Sequence, residues 1–199
     1  MIAGIVLAAG RSRRMGEPKA FLRLDGRSFL ERAVRALREG GCEDVVVVAG
    51  PREDDVQRQV AETALALGAR VAVNGAAGSE QVDSLRIGLR AMREEAEAAV
   101  VSPVDVPGVG AESVAVLIGE HRRTGGEIVI PTHGGRHGHP VLFARAAWAE
   151  LLEADLPDGA RTVIHARAGA GRLVEVPVDA LPADVDTPED LHRLREAAE

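Results

Sequence analysis

Short runs of successive apolar residues alternate along this chain with longer stretches in which apolar positions recur every three or four residues. Successive apolar residues are typical of strands buried on both faces of a parallel sheet, and the longer spacing predicts amphipathic helices. The best-marked helix begins at an N-cap, Ser28, has Glu31 three residues further on, and ends at Gly40. Strands are predicted at 2–8, 44–50, 70–74, 98–104, 127–132, 139–144 and 172–178, and helices at 28–40, 53–67, 81–95, 111–123, 145–154 and 188–198.

The alternation of strand and helix predicts the fold class. Strands separated by helices of this length form βαβ units with right-handed crossovers and a parallel sheet. The segment IVIPTHGGRHGHPVLF at 128–143 departs from this rhythm, because a short Gly-rich loop joins its two strands. We therefore expect a single domain over residues 1–199 of class α/β, a three-layer α/β/α Rossmann-like fold. Its sheet should be mostly parallel, with one antiparallel strand.

Composition and charge narrow the possible partners and compartment. The chain has 24 Lys and Arg against 31 Asp and Glu, a net charge of −7, which argues against binding to nucleic acid or to a membrane surface. No apolar run approaches the roughly 20 residues of a membrane span. The start of the chain, MIAGIVLAAG, resembles a buried strand and not a signal peptide. Cys42 is the only cysteine and fits a small buried side chain in a reducing compartment, so we expect a cytoplasmic protein.

The loop after the first strand is basic, although the chain as a whole is acidic. It runs from about Ala9 to Arg27, although such loops need only about 2–6 residues, and ligands of these sheets bind beyond the carboxyl ends of the strands. Gly10 and Gly16 allow a ligand to approach the backbone closely, but their spacing matches neither a P-loop nor a dinucleotide fingerprint. We expect this loop to bind a polyphosphate; a solvated basic loop is the alternative. Its basic residues are Arg11, Arg13, Arg14 and Lys19.

Two acidic sites are candidates for a divalent cation. Asp105 follows a predicted buried strand, and Pro107 then turns the chain away from the sheet edge. Asp184 and Asp186 precede the last predicted helix. One or two carboxylates with phosphate oxygens and water suffice to hold Mg²⁺. The local sequence leaves Asp186 open between a metal ligand and a helix cap, a role that Thr187 could equally fill, and Asp184 is the second candidate ligand.

Four stretches resemble a known family. LAAGRSRRMGEPK at 7–19 resembles the L-A-A-G-x-S-x-R-M-G-x-x-K signature of nucleotidyltransferases that use nucleoside triphosphates. VSPVDVPGV at 101–109, GRHGHPVLF at 135–143 and DVDTPEDL at 184–191 resemble later stretches of the same family, in the same order. Within that family the chain looks most like the molybdenum cofactor cytidylyltransferases, of the molybdopterin nucleotidyltransferase group.

The resemblance implies a reaction and a set of site residues. It implies Mg²⁺-dependent transfer of CMP from CTP to the molybdopterin form of the molybdenum cofactor, with release of pyrophosphate. Lys19, Arg14 and Asp105 would be catalytic, and Asp105 and Asp186 would hold the metal. Gly138 and His139 would contact the acceptor. The nucleotide contacts would be Leu7, Ala8, Ala9, Gly10, Arg11, Ser12, Gly16, Lys19, Gly78, Ser79 and Ser84.

Other interpretations remain open at this point. Ala8 and Ala9 resemble the cytidine-using members, whereas guanylyltransferase relatives usually have A-G-G there, so GTP is the alternative donor. The loop and helix at 74–89 partly resemble methylerythritol phosphate cytidylyltransferases, which leaves the acceptor open to a sugar or polyol phosphate. A nucleotide-binding protein without catalysis is a third interpretation. A molybdoenzyme or its chaperone is a further candidate partner.

Three histidines lie close together in the sequence. His133, His137 and His139 raise the question of a zinc site, but their spacing matches no known zinc motif. We therefore favour a loop that faces the substrate over a dedicated metal site.

Overall fold

The computed structural model describes residues 1–10, 15–76, 80–153 and 155–196. Every predicted strand is present, with bounds within two residues of the prediction. The strands are β1 Ile2–Leu7, β2 Arg23–Leu24, β3 Arg27–Ser28, β4 Asp44–Ala49, β5 Arg70–Val73, β6 Ala98–Pro103, β7 Ile128–His133, β8 Arg136–His137, β9 Val141–Ala144 and β10 Leu173–Pro177. The helices are α1 Phe29–Glu39, α2 Asp55–Ala66, α3 Gln81–Arg90, α4 Ala111–Thr124, α5 Trp148–Leu151, α6 Ala160–Gly169 and α7 Pro188–Glu196.

The main sheet has the order β10-β7-β9-β6-β1-β4-β5. Neighbouring strands are parallel except β9, which runs antiparallel to both β6 and β7. The short strand β8 pairs antiparallel with the end of β7 in the Gly-rich hairpin. The prediction of an α/β fold with a mostly parallel sheet and one antiparallel strand is confirmed.

Alternation along the central strand creates the three layers. Ile2 and Val6 of β1 belong to a core with residues of α1, α2 and α4 on one face of the sheet. Ala3, Ile5 and Leu7 of the same strand belong to a second core with residues of α3, α5 and α6 on the other face. Successive side chains of a strand point to opposite faces, so a strand that is apolar throughout contributes to both cores.

The ends of two predicted helices are wrong. The helix predicted at 81–95 ends at Arg90, although the residues that follow it are good helix formers. The Arg145 side chain donates hydrogen bonds to the backbone oxygens of Arg93, Glu94 and Ala96, which stabilises a turn there. The helix predicted at 145–154 is also shorter: a 3-10 turn at Arg145–Ala147 leads into the single turn of α5. The first of these corrections comes from a contact between distant segments.

Two further elements are additions to the sequence prediction. Helix α6 was not predicted, and the long loop after β1 contains a 3-10 turn at Lys19–Phe21 and the hairpin β2–β3. Asp25 and Gly26 take the left-handed conformation that this tight hairpin turn requires. The predicted helix α1 is capped as expected, since the Ser28 side chain accepts a hydrogen bond from the Glu31 backbone N–H.

Cys42 lies in the core beside the central strand. Its burial, with a smaller contribution from Glu43, raises the pKa of the thiol to about 12, so the reactive thiolate is scarce at neutral pH. None of the helices in the described ranges combines the length and the apolar character needed to cross a membrane.

Candidate active site

A cavity of about 470 Å³ lies at the carboxyl edge of the sheet, where β1 ends between β4 and β6. The order in which successive strands are added to the sheet reverses at this point, because β4 and β6 lie on opposite sides of β1, and such a switch point is the usual place for a ligand in doubly wound folds. The lining residues come from the loop after β1, the helices α2 and α3, the turn after β6 and the segment before α7.

Lys19 links two carboxylates at the edge of this cavity. Its ammonium Nζ lies 3.0 Å from Asp105 Oδ2 and 2.5 Å from Asp186 Oδ1. The two carboxylate oxygens are therefore no more than about 5.5 Å apart, which is the two distances added. The Lys19 side chain is only 13% exposed, whereas that of Asp186 is 49% exposed. The structure thus brings together three charged residues from distant parts of the sequence.

Local hydrogen bonds explain why Asp186 faces Asp105. The backbone N–H of Val185 donates to the backbone oxygen of Asp105 at 2.8 Å, which holds the segment before α7 against the turn after β6. Val185 is buried, so the side chains on either side of it point away from the core. The backbone hydrogen bond and the packing of Val185 therefore hold Asp105 and Asp186 close together.

The helix α7 is capped by a residue other than Asp186. The Thr187 hydroxyl accepts from the backbone N–H of Asp190 at 3.3 Å, and Asp190 Oδ2 accepts from the backbone N–H of Thr187 at 2.8 Å and of Asp186 at 3.0 Å. This is the reciprocal arrangement of a capping box. It resolves the alternative that the sequence left open, because the Asp186 carboxylate is left to bind Lys19.

The pKa values of Lys19 and Asp184 both lie above their ordinary values. Burial lowers the pKa of Lys19, but the hydrogen bonds and negative charges of Asp186 and Asp105 outweigh it, so the pKa lies above its ordinary value and the ammonium stays charged. Burial and then the nearby Asp105 raise the pKa of Asp184, with His139 and Lys19 acting in the opposite direction. Asp184 therefore lies within the electrostatic reach of the same cluster.

The residues present fit a Mg²⁺ ion held mainly by substrate. Asp105 and Asp186 already share one cation, the Lys19 ammonium, so their geometry allows two carboxylates to bind one positive centre. Within the described ranges no group of three or more His, Cys, Asp or Glu is arranged to hold a metal. Mg²⁺ commonly takes one or two carboxylates and completes its shell with phosphate oxygens and water.

Most of the described nucleotide contacts predicted from the sequence lie around the cavity. Leu7, Ala8, Ala9, Gly10, Lys19 and Ser84 all line it. Gly16 takes a left-handed φ of 70°, which explains the glycine, but it is exposed and is not among the residues that line the cavity. The predicted contacts Arg11, Ser12, Arg14, Gly78 and Ser79 lie outside the described residues.

A second cavity of about 730 Å³ adjoins the first, and Leu7, Glu80 and Gln81 line both. Gly138 and His139, the predicted acceptor contacts, lie in its wall. The Nδ1 atom of His139 is buried and has no hydrogen-bond partner among the described residues. Burial lowers the pKa of His139, although Asp184 and Asp105 act against it, so its neutral form is favoured.

The three neighbouring histidines do not converge. His133 Nδ1 is 2.9 Å from the backbone oxygen of Val178, and His137 Nε2 is 2.6 Å from Glu175 Oε1. His139 alone approaches the aspartates of the site.

Sequence reasoning missed several residues of the first cavity. Gln57, Glu80 and Gln81 line it but were not among the predicted contacts, although Glu80 and Gln81 lie within the stretch 74–89 that partly resembles methylerythritol phosphate cytidylyltransferases. Gln57 did leave a signal: it is a polar residue in register with Val60 and Ala64 on the buried face of α2. A polar side chain in such an apolar stripe is expected to have specific hydrogen-bond partners.

Comparison with known proteins agrees with this fold. Residues 4–173 match the family described as MobA-like NTP transferase domain. The chain is 30% identical to a nicotine blue oxidoreductase of Paenarthrobacter nicotinovorans, over 97% of this chain and 96% of the relative. It is also 30% identical to a probable molybdenum cofactor guanylyltransferase of Mycobacterium avium, over 98% of this chain and 96% of the relative. The crystal structure of Rv0371c from Mycobacterium tuberculosis in complex with manganese has a TM-score of 0.77 at 28% identity, covering 98% of both chains.

The chain therefore belongs to the MobA-like NTP transferase domain family and is a nucleotidyltransferase of MobA-like type. This confirms the resemblance that the four sequence motifs indicated.

Proposed function

We propose that this protein transfers a nucleoside monophosphate from a nucleoside triphosphate to molybdopterin, in a reaction that depends on Mg²⁺. The observation that supports this most directly is the linked set of Lys19, Asp105 and Asp186, placed beside two adjoining cavities. The first cavity would take the triphosphate and the second the acceptor. Among the described residues, the predicted nucleotide contacts line the first cavity, apart from Gly16, and the predicted acceptor contacts line the second.

The reaction needs charge stabilisation more than proton transfer. An oxygen of the acceptor phosphate forms a bond to the α-phosphorus, the bond from that phosphorus to its bridging oxygen breaks, and pyrophosphate leaves with that oxygen. The attacking phosphate is already ionised near neutral pH, so no general base is required. Lys19 would offset the negative charge on the α-phosphate and the leaving group, and Arg14 is proposed to assist it.

Asp105 and Asp186 would hold Mg²⁺, which when bound neutralises phosphate oxygens and orients the triphosphate. On the acceptor side, Gly138 and His139 line the second cavity, and His139 would contact the acceptor phosphate. The neutral form of His139 can donate from one ring nitrogen and accept at the other.

We propose CTP as the donor. Ala8 and Ala9 both line the first cavity. Where the guanylyltransferase relatives usually have A-G-G, the additional methyl group of Ala9 would favour a smaller pyrimidine over a purine. GTP is the second candidate, because relatives of this chain are named molybdenum cofactor guanylyltransferase. The proposal places the reaction in the cytoplasm.

Pyrophosphate release with each of the four nucleoside triphosphates tests this proposal. Each would be assayed with Mg²⁺, with and without molybdopterin, and with sugar and polyol phosphates as other acceptors. We expect release only with molybdopterin, and faster with CTP than with GTP. Faster release with GTP would overturn the choice of donor. Tight binding of a triphosphate without release with any acceptor would favour a non-catalytic nucleotide-binding protein.

A further inference from the structure

Gln57 is a buried polar residue in the wall of the first cavity. It lies in the first turn of α2 and is only 3% exposed. The N-cap of the helix, Asp54, accepts hydrogen bonds from the backbone N–H groups of Val56 and Gln57. The backbone of Gln57 is therefore held by the cap, and its side chain is directed toward the ends of β1 and β4.

The side-chain amide of Gln57 joins two loops. Its Oε1 accepts a hydrogen bond from the backbone N–H of Gly50 at 2.6 Å, and its Nε2 donates to the backbone oxygen of Gly10 at 3.3 Å. The approach to Gly50 is close, since a Cβ built at that position would lie 2.8 Å from Gln57 Cγ. A side chain larger than hydrogen at position 50 would therefore displace Gln57.

The hydrogen bonds of Gln57 to Gly50 and to Gly10 have different roles. The bond to Gly50 ties α2 to the end of β4 and accounts for a structural role. The bond to Gly10 instead reaches the start of the basic loop, at a residue that lines the cavity proposed for the triphosphate. A carbonyl oxygen is a centre of partial negative charge, so its direction matters beside a polyphosphate.

We infer that Gln57 is a positioning residue for the triphosphate, which holds the Gly10 carbonyl in place and so sets the direction in which the phosphate-binding loop leaves β1. This inference rests on the proposed function of the first cavity. Gln57 itself forms no bond to the reacting atoms, so its effect should appear in nucleotide binding and not in binding of the acceptor.

The substitution Gln57→Glu separates the two roles. A carboxylate keeps an oxygen to accept from the Gly50 N–H, but it loses the donor to Gly10 and places a negative charge against that carbonyl. At pH 8 we expect the variant to bind Mg²⁺-CTP and Mg²⁺-GTP at least tenfold more weakly than the wild-type protein in a calorimetric titration. Toward pH 5, protonation of the new carboxyl restores a donor, so the ratio to wild type at the same pH should approach one.

The charged groups on the same cavity are Lys19, Glu80, Asp105 and Asp186, which is why each variant is compared with wild type at each pH. Gln57→Met, a volume-matched side chain without either hydrogen bond, should lose nucleotide affinity at every pH. It also provides the test if the glutamate variant does not fold. The matched control is Asp54→Ala, which weakens the start of the same helix without touching Gly10.

Failure of the inference about Gln57 can be distinguished from failure of the proposed function. If the wild-type protein binds neither triphosphate, the proposed function of the cavity fails. If wild type binds a triphosphate and both Gln57 variants bind it equally well, the inference about Gln57 is overturned. Equal losses of affinity in Asp54→Ala and Gln57→Met, together with an effect of Gln57→Glu that does not change with pH, would reduce Gln57 to a structural residue.

Discussion

Two groups of side chains in this molecule show that distance along the sequence does not predict distance in space. His133, His137 and His139 are neighbours in the chain, yet their surroundings differ: His133 contacts a backbone oxygen, His137 contacts a glutamate, and His139 lies within the electrostatic reach of the aspartates of the site. Lys19 is 86 positions from Asp105 and 167 from Asp186, yet one ammonium contacts both carboxylates.

The difference lies in the local geometry of the backbone. A tight hairpin turns successive side chains in different directions, so the three histidines have different surroundings although they are close in the sequence. The parallel strands all end at one edge of the sheet, so the residues that follow them meet whatever their distance along the chain. Proximity in sequence is therefore a poor guide to a shared site in this fold, and position relative to a strand end is a better one.

The largest expected effect comes from a substitution at Asp105, which meets Lys19 and Asp186 at the edge of the sheet. We expect Asp105→Asn to reduce Mg²⁺-dependent nucleotidyl transfer by at least about 10²-fold, because it removes a proposed metal ligand. Steady-state pyrophosphate release checks the rate, and circular dichroism checks the fold. Asp184→Asn is the control, since this neighbouring carboxylate has no hydrogen bond to Lys19 among the described contacts. An equal loss in both variants would contradict the assignment of Asp105 and Asp186 as the metal pair.

Removing the cation of the same group should have the next largest effect. Lys19→Met should lower triphosphate affinity or turnover at least tenfold. In the absence of metal it leaves two carboxylates facing each other, so we expect the free energy of unfolding to fall by about 1–2 kcal/mol, moderated by the solvent exposure of Asp186. Added Mg²⁺ should stabilise the variant more than the wild-type protein in thermal unfolding. Identical shifts on adding Mg²⁺ would show that lysine and metal do not share the carboxylates.

The dispersed histidines predict a smaller and selective effect. His139→Ala should raise the KM for the acceptor several-fold with little change in the KM for the triphosphate, because His139 lies in the wall of the second cavity. His133→Ala removes a contact with the backbone oxygen of Val178, and His133 is not among the residues that line either cavity, so it should change neither constant appreciably. Similar changes in the two variants would mean that the hairpin acts as one unit.

The smallest effect concerns Asp190, which forms the capping box of α7 together with Thr187 and so leaves the Asp186 carboxylate to bind Lys19. Hydrogen bonds from Thr187 and Asp186 lower the pKa of Asp190 to about 2. A carboxyl whose pKa is lower in the folded state adds stability above its ordinary value near 3.8 and loses it as the pH falls through about 2. Asp190→Asn should therefore flatten the dependence of unfolding on pH between about 4 and 2, as followed by denaturant titration. An unchanged slope would argue against the capping role.

The elements that the sequence predicted well are those determined by local pattern. β1 and β4 are apolar throughout, so their strand character and their burial on both faces followed directly from the residues. Helix α6 was missed because its sequence, ARTVIHARAG, has a weak apolar stripe with only Val163 and Ile164 buried. The early end of α3 depends on Arg145, which lies far along the chain and leaves no mark on the local pattern.

The sequence by itself determined the α/β class, the long basic loop at the end of β1, and the aspartates that follow β6 and precede α7. These features depend on short-range patterns of polarity, on turn residues and on motifs. Only the tertiary structure decided that Lys19 joins Asp105 and Asp186, that Thr187 and not Asp186 caps α7, and that Gln57 reaches Gly10. The physical reason is that each of these contacts depends on the pairing of strands and on the packing of helices against the sheet, which together decide which distant residues meet.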